Sequence, residues 1–275
     1  MLFLSFESTI RLVIKRRIVH GRSDARRQSR ADHRSQLRHG PDDCRIVRRR
    51  RSLRRSYRKT CRATQRGCGR NPGKGGKAVG VVADVCSTED TKRVFKTAIE
   101  TYGDLDILIN NAGIGEQKII DDTSDEWMLH VMNTNLGGPM RYIREALKVF
   151  LPKNDGCIIN ISSVNGNRPF CGATYTSTKG ALNTLTKNVA MRLIDTNIRC
   201  NAVAPGATVT PAHLANKAGE QPGGSKMLNW SGHFVYFPGP ECDPIDQAYA
   251  CLYLASKMGR HVKGQVLQVC NGAFL

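Results

Sequence analysis

The 275-residue chain carries 42 lysines and arginines against 23 aspartates and glutamates, a formal net charge of +19. The charge is concentrated at one end: residues 1–72 hold 22 basic and 5 acidic residues, whereas residues 73–275 hold 20 and 18. This distribution excludes a uniformly basic nucleic-acid-binding domain, because such a domain spreads its basic residues over a folded face. The near-neutral remainder is long enough for one domain with a sizeable core.

Cysteine usage and hydropathy favour an intracellular chain without a membrane span. The 10 cysteines show no paired spacing and no secretory signal precedes them, so we expect a reducing, cytoplasmic location. Cys44, Cys61 and Cys68 lack the spacing of a zinc site, and no metal is predicted. No stretch approaches 18 uninterrupted apolar residues.

Residues 1–72 form an arginine-rich segment, predicted as a unit distinct from a domain at residues 73–275. From Arg11 to Arg70 neither helical nor strand periodicity is sustained, so the segment has little with which to build a core. Four interpretations remain open: a disordered basic arm that binds nucleic acid or anionic lipid, an organelle transit peptide, a solvated tail, or translation outside the natural reading frame. The last is favoured, because a GC-rich gene read out of register yields much arginine and serine. Nucleic-acid binding is therefore not expected.

Beyond Gly76, apolar runs of strand length alternate with helical periods. The predicted strands are residues 78–85, 105–113, 156–161, 198–203 and 265–269. The predicted helices are residues 87–103, 123–150, 173–195 and 245–256, the first two opened by capping signals. This alternation predicts an α/β fold, a doubly wound parallel sheet with its chemistry at the carboxyl ends of the strands.

Tyr175 and Lys179 stand four residues apart in a predicted helix, which places a phenol and an ammonium on one face. The spacing alone is a weak signal, since Tyr253 and Lys257 repeat it. The first pair is distinguished by Ser163, which follows a predicted strand and precedes Tyr175 by twelve residues. Tyr253 lies in an apolar helix and is predicted to pack in the core.

With this pair in place, the chain resembles the short-chain dehydrogenase/reductase family over about residues 74–275. The resemblance rests on motifs in the family's order: Asp84-Val85, Asn110-Asn-Ala-Gly113, Asn135-Leu-Gly-Gly138, Ser162-Ser163, Tyr175-x-x-x-Lys179, Asn201-Ala-Val-Ala-Pro-Gly206 with Thr210, and Leu254-Ala-Ser. It implies a Rossmann-like fold and an NAD- or NADP-dependent oxidoreductase that interconverts a secondary alcohol and a ketone. It also implies a homo-oligomer, a tetramer or a dimer.

The resemblance assigns chemical roles to these residues. Tyr175 would be the general acid and base, and Lys179 would stabilise its phenolate, because an ordinary tyrosine pKa of about 10 makes a poor base at neutral pH. Ser163, or alternatively Ser162, would hold the substrate oxygen. Asn135 would hold a water between Lys179 and solvent, unless it is a structural helix residue. Cofactor contacts are implied for Tyr175, Lys179, Asp84, Val85, Asn110, Ala112, Gly113, Pro205, Gly206, Thr208 and Thr210. Asp84 and Asn110 could also be plain turn residues.

The family's first strand, glycine-rich turn and second strand should precede residue 73, and no pattern there predicts them. The glycine-rich stretch at residues 67–76 follows no strand and matches no phosphate-binding fingerprint. We therefore expect these elements to be missing or replaced, and the strand ending at Asn110 to lack one partner. Dinucleotide binding should then be poor or absent, which leaves a catalytically inactive scaffold as an alternative function.

The segment from Pro211 to about Glu241 is predicted to be a lid over the substrate. Its second half contains Trp230, Phe234 and Tyr236 among other apolar residues. An aromatic lid favours a bulky, apolar secondary alcohol or ketone as the substrate. The same side chains could instead pack between subunits.

Overall fold

A computed structural model describes residues 2–4, 9–14, 77–210, 230–233, 235–236 and 239–274. In this part of the chain one sheet has the spatial order β3-β2-β1-β4-β5-β6-β7. Its strands are β1 (Leu2–Leu4), β2 (Thr9–Ile14), β3 (Lys77–Val82), β4 (Ile107–Asn110), β5 (Gly156–Ile161), β6 (Ile198–Pro205) and β7 (Val266–Val269). All run in one direction except β2, which is antiparallel to β1 and β3. The Rossmann-like α/β class is therefore confirmed.

The main described helices are α1 (Thr88–Tyr102), α2 (Asp125–Met132), α3 (Gly138–Lys153), α4 (Ala173–Arg192) and α5 (Pro244–Ala255). The capping signals of α1 act as predicted: the Ser87 side chain accepts from the Asp90 amide, and Gly103 ends the helix at φ 82°. The long helix predicted after residue 123 is interrupted by a π-helical turn at Asn133–Gly137, which separates α2 from α3. Such turns are frequent at functional sites.

Each face of the sheet buries its own apolar cluster. Leu108 of β4 and Ile158 of β5 pack on the side covered by α1, α3 and α4. The alternate residues Ile109 and Ile159 point to the opposite face and pack against Leu254 of α5. Because strand side chains alternate between faces, one apolar run supplies both clusters. The two clusters hold the carboxyl ends of β4, β5 and β6 at one edge of the sheet.

Strand β4 has two neighbours, which corrects the expectation that it would lack one. β1 pairs with it in parallel, with Leu2 opposite Leu108 and Phe3 opposite Ile109, and β2 joins β1 to β3. The pattern did not predict these strands because three apolar residues are too few for a period, and Arg11 interrupts the second run. A hairpin thus replaces the family's first and second strands.

The hairpin also lacks the family's glycine-rich turn. Residues 5–8, which connect β1 to β2, read Ser-Phe-Glu-Ser and contain no glycine. The positions of these four residues, and of residues 15–76 with most of the arginines, lie outside the described residues. The domain boundary between residues 72 and 73 stays a prediction.

Helix α5 presents part of its apolar surface to solvent. The prediction that Tyr253 packs in the core is wrong, since the residue is 37% exposed. The buried side of α5 consists of Ala250, Cys251 and Leu254, and position 253 falls on the other side of the helix. None of the helices in the described ranges combines the length and apolar character that crossing a membrane requires.

Candidate active site

Tyr175 and Lys179 lie one turn apart on α4, and their side chains meet as the spacing predicts. The Lys179 ammonium is 5.5 Å from the centre of the Tyr175 ring. It donates a 2.9 Å hydrogen bond to the Ile161 carbonyl at the end of β5, its only acceptor among the described residues. Lys179 is 6% exposed, and burial lowers its pKa to about 8. A buried ammonium therefore lies beside the phenol, with two N–H donors for which no described residue is an acceptor.

The phenol of Tyr175 is held in its protonated form by its surroundings. Burial raises the pKa of Tyr175 to about 12, while a side-chain hydrogen bond with Ser163 lowers it and Cys171 raises it. At neutral pH the group can donate a proton as it stands. To accept one as a base it needs further positive charge nearby, because only opposite charge or added hydrogen bonds would bring its pKa down.

The two serines at the end of β5 have different partners. The Ser162 hydroxyl donates to the Lys179 carbonyl at 3.2 Å and so ties the strand end to α4. Ser163 instead interacts with the Tyr175 phenol and lowers its pKa. This arrangement favours Ser163 over Ser162 as the hydroxyl that would contact a substrate.

Asn135 lies in the π-helical turn, and both polar atoms of its side-chain amide, Oδ1 and Nδ2, are hydrogen-bonded to neighbouring residues. Its Oδ1 accepts from the Ile114 amide at 2.8 Å, and its Nδ2 donates to the Ile114 carbonyl at 2.9 Å and to the Thr178 hydroxyl at 3.3 Å. A Cβ on Gly113 would lie 3.2 Å from Asn135 Oδ1 and 3.7 Å from Lys179 Nζ. Asn135 therefore has the structural role that the sequence left open. Its predicted water-holding role stays a prediction.

The residues predicted to contact adenosine follow β3 and β4. Asp84 is exposed, and its carboxylate accepts from the Cys86 amide at 2.8 Å, which is a turn interaction. Val85 is buried in the apolar cluster on the α1 side. Asn110 donates to Asn160 at 2.8 Å, and its own Oδ1 is buried without a partner among the described residues. These contacts account for turn and core roles, and the cofactor contacts remain predictions.

The residues predicted to contact nicotinamide follow β6. A Cβ on Gly206 would lie 2.6 Å from the Cys270 side chain, so close packing requires glycine there. The Thr208 hydroxyl donates to the Gly206 carbonyl at 3.1 Å and accepts from Gln247 at 3.3 Å. Half-buried residues at the same edge of the sheet are Ala112, Gly113, Pro205 and Thr210.

Glu116 is a buried carboxylate that caps the helix carrying Tyr175, and no sequence signal marks it. It is 4% exposed, and its Oε2 accepts from the backbone amides of Thr174 at 3.1 Å and Tyr175 at 3.0 Å. The amides of Gly172 and Ala173 donate to carbonyls of the same loop, those of residues 116 and 118. One loop thus satisfies the amides that begin α4, which a helix cannot pair internally.

The described residues fit one end of a dinucleotide better than the other. At the nicotinamide end, the spare donors of Lys179 lie beside Gly113, where no side chain intervenes. At the pyrophosphate end the family uses a glycine-rich turn and a helix N-terminus, whereas β1 and β2 are joined by four residues without glycine. Among the described residues, those at the nicotinamide end fit a ribose, and none forms a glycine-rich turn for the pyrophosphate.

The sheet order and the helices on both faces define a protein of the Rossmann-like class, with Ser163, Tyr175 and Lys179 grouped after β5 and on α4. The sequence profile of a family described as enoyl-(acyl carrier protein) reductase matches residues 61–273. The chain belongs to the short-chain dehydrogenase/reductase family, whose members are NAD- or NADP-dependent oxidoreductases. The match begins at Cys61, earlier than the predicted start near residue 74.

Relatives share most of the chain. A 3beta-hydroxysteroid dehydrogenase of Mediterraneibacter gnavus is 33% identical over 213 residues, which cover 72% of this chain and 77% of the relative. A 3-oxoacyl-[acyl-carrier-protein] reductase of Staphylococcus aureus is 31% identical over 205 residues, covering 74% and 79%. The crystal structure of a 3-ketoacyl-(acyl-carrier-protein) reductase from Brucella melitensis, complexed with NADH, has a TM-score of 0.62 and 26% identity, covering 71% and 78%. The chain is similar to oxidoreductases that differ in substrate.

Proposed function

We propose that the chain interconverts a secondary alcohol and a ketone with Tyr175 as the general acid and base. The observation that carries the proposal is the buried Lys179 ammonium, 5.5 Å from the centre of the Tyr175 ring, and Ser163 interacts with the same phenol and lowers its pKa. A positioned acid flanked by a cation and a hydroxyl is suited to moving a proton to or from a substrate oxygen. Loss of turnover in Tyr175→Phe tests it.

In the reducing direction Tyr175 gives its proton to the substrate oxygen while Ser163 holds that oxygen by a hydrogen bond. Lys179 stabilises the phenolate that remains, because opposite charge at short range favours the ionised form. In the oxidising direction the same groups act in reverse. When bound, the nicotinamide supplies or accepts the hydride at the substrate carbon.

Residue roles toward the dinucleotide follow from the family motifs. Tyr175 and Lys179 would contact the nicotinamide ribose, and Thr208 with Thr210 the carboxamide. The adenosine side would be held by Asp84, Val85 and Asn110. The backbone of Ala112, Gly113, Pro205 and Gly206 would line the path between the two ends.

We propose that this chain binds the dinucleotide weakly. The support is the hairpin of β1 and β2, which stands where the family has a glycine-rich turn and a helix N-terminus. Titration of NADH or NADPH, followed by its fluorescence, should give no saturation below millimolar concentration. A micromolar dissociation constant would overturn the proposal. The same observation favours an inactive scaffold as the alternative, and turnover that depends on Tyr175 would exclude it.

The substrate class we propose is a bulky, apolar secondary alcohol or ketone. A 3beta-hydroxysteroid dehydrogenase is among the relatives, and Trp230 and Tyr236 are 66% and 65% exposed beside buried Val235. The residues of the predicted lid that lie outside the described residues are 211–229, Phe234 and 237–238. Trp230→Ala should reduce turnover of a steroid alcohol and spare that of a sugar. Equal losses on both would refute the assignment.

We further infer a homo-oligomer, a tetramer or a dimer, located in the cytoplasm. Large apolar side chains are exposed on several helices or at their ends, which supports burial between subunits; they are Leu129, Met191, Ile194, Tyr249 and Leu252. A monomer at micromolar concentration in sedimentation equilibrium would contradict this. The charge of residues 1–72 favours nucleic-acid binding as an alternative function, and salt-dependent RNA affinity that vanishes on deleting them would establish it.

A further inference from the structure

Asn165 lies two residues beyond Ser163, in a short turn after β5, and both side chains are buried. The backbone amide of Asn165 donates to Ser163 Oγ at 3.1 Å, and the side-chain Nδ2 of Asn165 donates to the same oxygen at 3.3 Å. A hydroxyl oxygen has two lone pairs. Both are therefore in use, and the only hydrogen bond left to Ser163 is the one it donates.

The orientation of the Asn165 amide is fixed from its other end. Its Oδ1 accepts from the backbone amides of Phe170 at 3.1 Å and Cys171 at 2.9 Å. If the amide were flipped, its NH2 group would face these two half-buried N–H groups and lose both hydrogen bonds, which is costly. Only one orientation pairs every group, and it is the one that points Nδ2 at Ser163.

We propose that Asn165 is a positioning residue that makes Ser163 a permanent hydrogen-bond donor, toward the Tyr175 phenol in the free protein and toward the substrate oxygen when a substrate is bound. The part concerning the substrate rests on the proposed function, whereas the direction of the Ser163–Tyr175 bond does not. Two bonds donated to Oγ polarise the hydroxyl and strengthen the bond it donates in turn. A donor hydroxyl favours an oxygen that gains negative charge, as the phenolate and a reacting substrate oxygen do.

The groups around the phenol agree with this direction. Burial raises the pKa of Tyr175 and the interaction with Ser163 lowers it, which is the effect expected of a hydroxyl that donates to the phenolate. Within the described part of the chain, the other titratable groups facing the phenol are Lys179, beside the ring, and Cys171, which raises the pKa of Tyr175. The Cys171 backbone amide donates to Asn165 Oδ1, so the Asn165 side chain holds both the Ser163 hydroxyl and the residue two positions before α4.

The test is a titration of Tyr175 by tyrosinate absorbance in the full chain, with Tyr175→Phe as the blank. It needs neither cofactor nor turnover, so it succeeds or fails independently of the proposed function. Asn165→Asp keeps an acceptor for the Phe170 and Cys171 amides but presents a second acceptor to Ser163, whose proton then turns away from the phenol. We expect the pKa of Tyr175 to rise. Asn165→Ala, which adds no charge, should raise it less.

Asn165→Asp also adds a negative charge, which by itself raises the pKa of Tyr175. Repeating the measurement in a Ser163→Ala background separates the effect of the Ser163 hydroxyl from this charge repulsion. In Ser163→Ala, Asn165→Asp should raise the pKa of Tyr175 by at least half a unit less than it does with Ser163 present. Asn183→Asp is the control: Asn183 is buried on α4, donates to Asn167 and does not contact Ser163, so its effect should not depend on Ser163. An equal shift in both backgrounds, or a lower pKa in Asn165→Ala, would overturn the proposal. Thermal unfolding identifies any variant that does not fold. If Asn165→Asp does not fold, the pKa of Tyr175 in Asn165→Ala is the test of the proposal.

Discussion

The Lys179 ammonium lies 5.5 Å from the centre of the Tyr175 ring, one helical turn along α4. Burial acts on the two groups in opposite senses, because it disfavours the charged form of each: the pKa of Lys179 falls to about 8 and that of Tyr175 rises to about 12. At neutral pH the lysine is charged and the phenol is neutral. Tyr175 can thus give its proton to a substrate oxygen, and the Lys179 ammonium can stabilise the phenolate that is left.

The buried lysine predicts a pH-dependent stability. The folded pKa of Lys179, about 8, lies below its ordinary value of 10.5, so the unfolded chain binds more protons between these values. The stability of the parent relative to Lys179→Met should therefore rise as pH increases from 8 to 10.5, by up to about 3 kcal/mol. Urea unfolding at several pH values measures it, with Lys187→Met on the exposed side of α4 as the control. A difference that is flat or falls with pH would contradict the burial of the charge.

Glu116 predicts a stability effect at the start of α4. In Glu116→Gln, one carboxylate oxygen becomes an NH2 group that faces backbone N–H donors, so at least one of three bonds is lost. We expect a loss of about 1–2 kcal/mol in urea unfolding, together with slower turnover because Tyr175 is in the first turn. Glu100→Gln is the matched control, since that carboxylate is exposed. Equal stability of the two variants would show that Glu116 does not cap the helix.

Two glycines near the same helix should respond differently to alanine. A Cβ on Gly172 would lie 2.4 Å from Glu116 Oε2 and would displace the cap, whereas at Gly180 the nearest atom is the Gly166 carbonyl oxygen at 3.4 Å. Gly172→Ala should cost about 1–3 kcal/mol and lower activity. Gly180→Ala, in a helix interior, should be neutral or stabilise by up to about 1 kcal/mol. Thermal unfolding of both variants gives the comparison, and a tolerated Gly172→Ala would contradict the cap geometry.

Sequence patterns predicted the elements whose signals are local. Ser87 and Gly103 bound α1 as expected, and β5 spans the predicted Gly156–Ile161. The strand β1 could not be predicted, because three residues carry no period and the pairing is made with a strand a hundred residues away.

In the candidate site, too, local features could be predicted from the sequence and contacts between distant residues could not. Tyr175 and Lys179 were predictable because one helical turn brings them together. Glu116 was not, since it meets the amide of a residue 59 positions later. Asn165 could not be predicted for another reason. Its proposed role depends on which atom of its side-chain amide faces Ser163, and the backbone amides of Phe170 and Cys171 fix that orientation.

The most direct test of the oxidoreductase assignment follows NADH or NADPH absorbance while the full chain oxidises secondary alcohols, a 3β-hydroxysteroid among them. Tyr175→Phe is compared with Tyr253→Phe, which alters the exposed tyrosine of the second Tyr-x-x-x-Lys pair. We predict turnover that increases with dinucleotide up to millimolar concentration, falls about 10²–10⁴-fold in Tyr175→Phe, and is unchanged in Tyr253→Phe. Turnover that survives Tyr175→Phe, or its absence from the parent chain at every dinucleotide concentration, would contradict the assignment.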